Sequence, residues 1–185
     1  MIQYRLGVFE TNSSSSHSIV IMKQEPKLTV LTAKERDYGG DYGYVSDGLL
    51  HIHKSDFGWG FGVLYRWVDR LAYAMASLCK TGNEIRKLLD SVLNEHPEVT
   101  ELRIYGYEDG EITCSGYKGG WGSIDHQSEG ILASFLEERG ILPAEFVNDD
   151  RYIVIIDNDN TCTFADLVNC GLINKDAIDT IAESF

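Results

Sequence analysis

The chain has 185 residues, 43% of them hydrophobic and 24% charged, with a net charge of −13. That composition is ordinary for a folded protein and excludes whole-chain disorder, and the length fits a single domain over 1–185. No apolar run approaches the ~18 residues of a membrane span.

The opening MIQYRLGVFETN has no basic region followed by an apolar core, so no secretory signal is expected. A soluble, cytoplasmic protein without membrane association is the expectation. The charge is polarised along the chain. Residues 1–92 carry 10 acidic and 11 basic side chains, whereas residues 93–185 carry 19 acidic and 5 basic. Such a chain is not expected to bind free nucleic acid, RNA or duplex DNA, by broad phosphate neutralisation. Its acidic half suits solubility, or docking on a basic protein surface. Four cysteines stand at 79, 114, 162 and 170, no two as a CxxC pair, which points to reduced thiols rather than a zinc or redox motif.

In chain order, residues 2–9 and 18–22 read as strands on either side of the polar stretch ETNSSSSH. Residues 28–32 form a third short strand, 37–48 a Gly-, Tyr- and Asp-rich loop, and 49–53 a fourth strand before the turn SDFGWGFG. Over 62–79, Leu64, Trp67, Val68, Leu71, Met75 and Leu78 follow helical spacing. Ile85, Leu88, Leu89, Val92 and Leu93 do the same over 83–95, with Asn83 as a cap, so an antiparallel helix pair is expected. Residues 99–105 alternate like a half-buried strand, and 106–127 are irregular. A helix spans 128–139 and stops at Gly140. The unbroken apolar run Tyr152–Ile156 suits a central strand covered on both faces. Short helices at 163–169 and 174–183 close the chain. The expected class is α+β, with mixed α/β as the alternative: a mostly antiparallel sheet packed by a helix pair and short C-terminal helices.

Five constellations could carry chemistry. In Glu10-Thr11-Asn12-Ser13-Ser14-Ser15-Ser16-His17, four consecutive hydroxyls sit between apolar strands. Hydroxyls and backbone N–H groups suit phosphate oxygens, and Glu and His are proton-transfer groups near neutral pH. The plainer alternative is a solvated serine-rich hairpin. In Asp125-His126-Gln127-Ser128, Ser128 and Glu129 could cap the following helix, or His126 could partner His17. Two imidazoles suffice for metal-independent RNA cleavage through the 2′-hydroxyl. Asp157-Asn158-Asp159-Asn160 ends the central strand. It is either a polar turn or, through Asp157 and Asp159, a divalent-metal site, although it lacks the EF-hand pattern. His51-Ile52-His53 with Asp56 places two imidazoles on one strand face, but a metal there needs another ligand. The aromatics of Phe57-Gly58-Trp59-Gly60-Phe61 either stack bases or pack a turn, and packing is preferred.

Taken together, these segments resemble a family of small proteins from phages, plasmids and their bacterial hosts. The likeness is carried by Arg5 and by Val8 through Ser18 (VFETNSSSSHS), by Phe57-Gly58-Trp59 ahead of a long helix, and by Ile124 to Ser128 (IDHQS). Phe146 with Asn148, Tyr152 to Ile156 and Asp159-Asn160 extend it. FGWGFG departs from the acidic and aromatic continuation usual after FGW. The chain also looks like small anti-CRISPR proteins of Gram-positive mobile elements, which disable the type II RNA-guided DNA nuclease, some with truncation of its guide RNA. The resemblance implies a type II effector carrying guide RNA as partner, and the guide RNA would have to be presented by that bound effector. His17, Glu10 and His126 would then be the proton-transfer groups. Asn12, Ser13, Ser14, Ser15 and Ser16 would hold the phosphate, and Gln127 and Trp59 would complete the substrate site. No cofactor is expected on this reading. The alternatives are a non-catalytic acidic nucleic-acid mimic, and a small phosphoester- or nucleotide-processing enzyme using a divalent metal.

Overall fold

The run Tyr152–Ile156 lies at the centre of the fold because both of its faces meet apolar partners. The computed structural model describes residues 17–24, 42–58, 60–105, 107–108, 111–112, 122–125, 128–158 and 164–184. The strands expected at 2–9 and 28–32 lie outside them. In order, the elements are β1 (His17–Lys23), β2 (Gly43–Ser46), β3 (Leu49–Ile52), β4 (Asp56–Phe57), β5 (Gly62–Leu64), α1 (Trp67–Leu78) and α2 (Gly82–Leu93). They continue with β6 (Glu101–Ile104), β7 (Tyr107–Glu108), β8 (Glu111–Ile112), β9 (Ser123–Ile124), α3 (Ile131–Arg139), α4 (Pro143–Asn148), β10 (Tyr152–Asn158), α5 (Phe164–Asn169) and β11 (Ile178–Ser184). The class is α+β, as expected.

A four-stranded antiparallel sheet runs in the order β11-β1-β10-β5. Successive residues of β10 point to opposite faces. Tyr152, Val154 and Ile156 enter the larger core with Ile19, Ile21 and the apolar sides of α1, α3 and α4. Ile153 and Ile155 enter a second cluster with Val20, Met22, Val63, Leu167 and Ile173. Two covered faces explain why this antiparallel strand shows no polar alternation. Each such side chain contributes roughly 1.5–3 kcal/mol on full burial, before the cost of ordering the chain.

Several boundaries differ from the sequence reading. Residues 62–64 are not the first turn of a helix but strand β5, paired to Val154–Ile156. Their apolar positions also fit helical spacing, and only the long-range partner decides between the two. Residues 43–46, read as loop, form β2 against β3. The cap of α2 is Thr81 rather than Asn83. Its Oγ1 accepts the Glu84 N–H at 3.3 Å, while Glu84 Oε2 accepts the Thr81 N–H at 2.9 Å, a reciprocal capping box. The two helices do not pack chiefly on each other, because α4 lies against both. Strand β6 pairs in parallel with β3, and it is mostly exposed rather than half-buried. Helix α3 starts at Ile131, since Gly130 takes φ +88° and neither Ser128 nor Glu129 caps it. It ends as expected at Gly140 (φ +64°), with the Ile141 N–H closing on the Leu136 carbonyl at 3.0 Å.

The clearest correction is the C-terminus. The expected helix over 174–183 is instead strand β11, which covers the free edge of β1. Its sequence, IDTIAES, has weak preference either way. The unpaired backbone groups of β1 settle the outcome.

Candidate functional site

The seven-residue register between β1 and β10 places the first residue of one strand beside the last of the other. His17 stands opposite Asn158, and Ser18 stands opposite Asp157 on one side and Ser184 on the other. Directly opposed Cα atoms in such a ladder are about 4.5–5.5 Å apart. His17, the last residue of the hydroxyl-rich motif, therefore stands at the sheet end from which Asp157-Asn158 leaves. His17 and Asp157, which are 140 residues apart in sequence, share one sheet end. Glu10, Asn12, Ser13, Ser14, Ser15, Ser16 and Asp159 lie outside the described residues.

A second convergence joins the FGW and IDHQS segments. Strands β4 and β9 pair in parallel, Asp56 with Ser123 and Phe57 with Ile124. The Asp125 N–H donates to the Phe57 carbonyl at 2.9 Å, and Ser123 Oγ donates to Asp56 Oδ1 at 2.5 Å. Gly58 has φ +101°, and a Cβ there would stand 2.6 Å from that of Asp125. Gly122, at φ +79°, lies so close to the Ser55 carbonyl that a Cβ would meet it at 2.4 Å. Glycine is required at both positions by conformation and by space. Asp125 and Ser128 are buried, and the Ser128 N–H closes a turn onto the Asp125 carbonyl at 2.8 Å. Trp59, His126 and Gln127 lie outside the described residues. Phe57 packs as preferred, 4.8 Å from the Tyr42 ring and 5.3 Å from that of Tyr73.

The imidazoles of His51 and His53 are part of an aromatic ladder across β2, β3 and the end of β6. Tyr44 stacks on His51 at 4.3 Å between centroids, and Tyr105 stacks on His53 at 4.4 Å with the planes 2° apart. His51 Nδ1 and the Tyr105 hydroxyl share a hydrogen bond of 2.8 Å. Among the described residues no group of three metal-ligating side chains forms, and none of them joins His51 and His53 as the further ligand a metal needs. Both histidines stand out in the sequence as a His-x-His pair, whereas Tyr44 and Tyr105 belong to no motif there. The available signal was their placement on neighbouring strands, which depends on pairings that sequence does not reveal.

Burial raises the Asp69 carboxyl, opposed by two hydrogen bonds of 2.7 Å from Arg66. Burial also pushes the Cys79 thiol up to about 12, which makes it inert as a nucleophile. No protein-family model, curated protein or solved structure matches the chain. Among the described residues no helix is long and apolar enough to cross a membrane.

Proposed function

We propose that this chain is an anti-defence protein of the anti-CRISPR kind that acts in the host cytoplasm. It binds a type II RNA-guided DNA nuclease and truncates the guide RNA. The observation that carries this reading is the register at the sheet end. It brings His17, the close of ETNSSSSH, into register with Asn158 and one place from Asp157, so the proposed proton-transfer histidine has acidic and amide residues on the neighbouring strand.

In the proposed reaction the RNA 2′-hydroxyl attacks the adjacent phosphorus, and the bond to the 5′ oxygen breaks. A 2′,3′-cyclic phosphate and a free 5′-hydroxyl result. His17, with Glu10, takes the proton from the attacking hydroxyl, and His126 returns one to the leaving oxygen. Asn12 and Ser13 through Ser16 hold the phosphate, with Gln127 and Trp59 against the nucleotide. The test is to incubate the protein with guide-loaded effector and size the RNA. Truncation by the parent chain, lost in His17→Ala with effector binding intact, is the expected result. Equal truncation by that variant removes His17 from the mechanism.

The acidity of residues 93–185 favours a second reading, binding without catalysis. Full-length RNA together with strongly salt-sensitive effector binding would select it. Metal-dependent phosphoester hydrolysis that needs no effector and is lost in Asp157→Asn or Asp159→Asn would select a small phosphoester or nucleotide enzyme unrelated to defence instead.

A further inference from the structure

The aromatic ladder lies outside the sheet end assigned to cleavage. Its strand β3 turns Leu50 and Ile52 into the core, and the alternate positions His51 and His53 fall on the other face, where the neighbouring rings leave His51 buried and His53 half-buried. Four rings line up there across three strands. Beyond the two close stacks, Tyr44 lies 6.2 Å from His53 and Tyr105 lies 5.9 Å from His51, all with planes within 27° of parallel. The spacing of the close pairs is that of stacked rings, and the hydrogen bond between His51 and Tyr105 holds the array. Tyr44 ends the row on the outer strand and is 41% exposed. At the other side Arg103 stands opposite His51 in the register. It is exposed and forms no ion pair among the described residues.

We propose that this ladder binds unpaired bases of single-stranded RNA, one base stacking on the exposed ring of Tyr44 and Arg103 taking a backbone phosphate. The inference rests on the reading of the chain as an RNA-acting protein and names how that RNA is held. It also accounts for how so acidic a chain retains RNA. Stacking on base faces adds binding that does not depend on phosphate neutralisation, and Arg103 supplies a cation on β6 against the opposing charge of Glu101 two residues away. Duplex nucleic acid, whose bases are already stacked on each other, offers the ladder nothing.

The test follows the ring proton signals of His51 and His53 by NMR. The full chain is titrated with a single-stranded RNA of about eight nucleotides and, separately, with a blunt duplex of the same sequence. The single strand should shift both signals and leave His96, on the helical side, unmoved; the duplex should shift neither. Tyr44→Ala should weaken binding roughly 5- to 150-fold, the equivalent of one base–aromatic stack, and Tyr44→Trp should retain it. Arg103→Gln should flatten the salt dependence by about one phosphate contact. No shift at up to about 1 mM RNA, or equal affinity in Tyr44→Ala, overturns the proposal. The cleavage reading fails separately. Full-length guide RNA with shifted His51 and His53 signals leaves the ladder standing alone, and truncation without those shifts removes only the ladder.

Discussion

Replacing Arg70 by Met should be among the most damaging single changes in the described core. Arg70 is fully buried on α1. Its Nε donates to the Val147 carbonyl at 3.0 Å, and its Nη1 donates to the carbonyls of Tyr65 and of Tyr152, the latter at 3.0 Å. Nη2 reaches Asp150 Oδ1 at 3.2 Å, on a side chain that is 87% exposed. One guanidinium thus satisfies three backbone carbonyls, after β5, at the end of α4 and at the start of β10. Burial pulls its pKa down, opposed by Asp150. Methionine fills similar volume and removes the cost of burying a charge, but it leaves three acceptors without donors. At about 1–1.5 kcal/mol for each, the loss is about 3–5 kcal/mol. With a urea slope of about 2 kcal/mol/M, the unfolding midpoint should fall by about 1.5–2.5 M at unchanged slope. Arg70→Lys should recover only part of this, since an ammonium lacks the planar fork. Asp150→Asn should do little, because its partner is solvated. A midpoint for Arg70→Met within about 0.3 M of the parent would refute the assignment of Arg70 as the link between these carbonyls.

Other substitutions test the remaining contacts. Gly58→Ala should cost at least about 2 kcal/mol in urea unfolding, from the positive φ and the approach to Asp125. Gly60→Ala, with open space around it, should stay within about 0.5 kcal/mol. Hydrogen bonds from Arg151 above all, and then from Lys23, hold the Asp149 carboxyl well below the usual carboxylate range. A depressed carboxyl stabilises the fold above its unfolded pKa of about 4, and that contribution fades as the pH falls below it. Asp149→Asn should therefore lose about 1–3 kcal/mol at neutral pH and show a flatter acid limb in a stability–pH profile. Thr81→Ala opens the capping box and should lower stability by about 1 kcal/mol, read from the thermal midpoint.

What the sequence revealed about this chain is local. The run Tyr152–Ile156 announced a strand buried on both sides, Gly140 announced the end of α3, and the spacing of Ile85, Leu88, Leu89 and Val92 announced the inner face of α2. Each signal lies within a few residues of the structure it specifies, so composition and period suffice to read it. Tertiary structure decided what depends on a distant partner. Val63 and Leu64 form a strand because β10 offers them an edge, and Ile178–Ser184 forms one because β1 does. The same logic governs the candidate site. The motifs ending at His17 and beginning at Asp157 were each visible as polar interruptions, but their adjacency comes from a register that only the folded sheet sets. Tyr44 and Tyr105 carried no motif, and they acquired a role only when two neighbouring strands placed them against His51 and His53. Propensity and periodicity act along the chain, whereas backbone pairing across strands acts between positions whose separation in sequence carries no information about their contact.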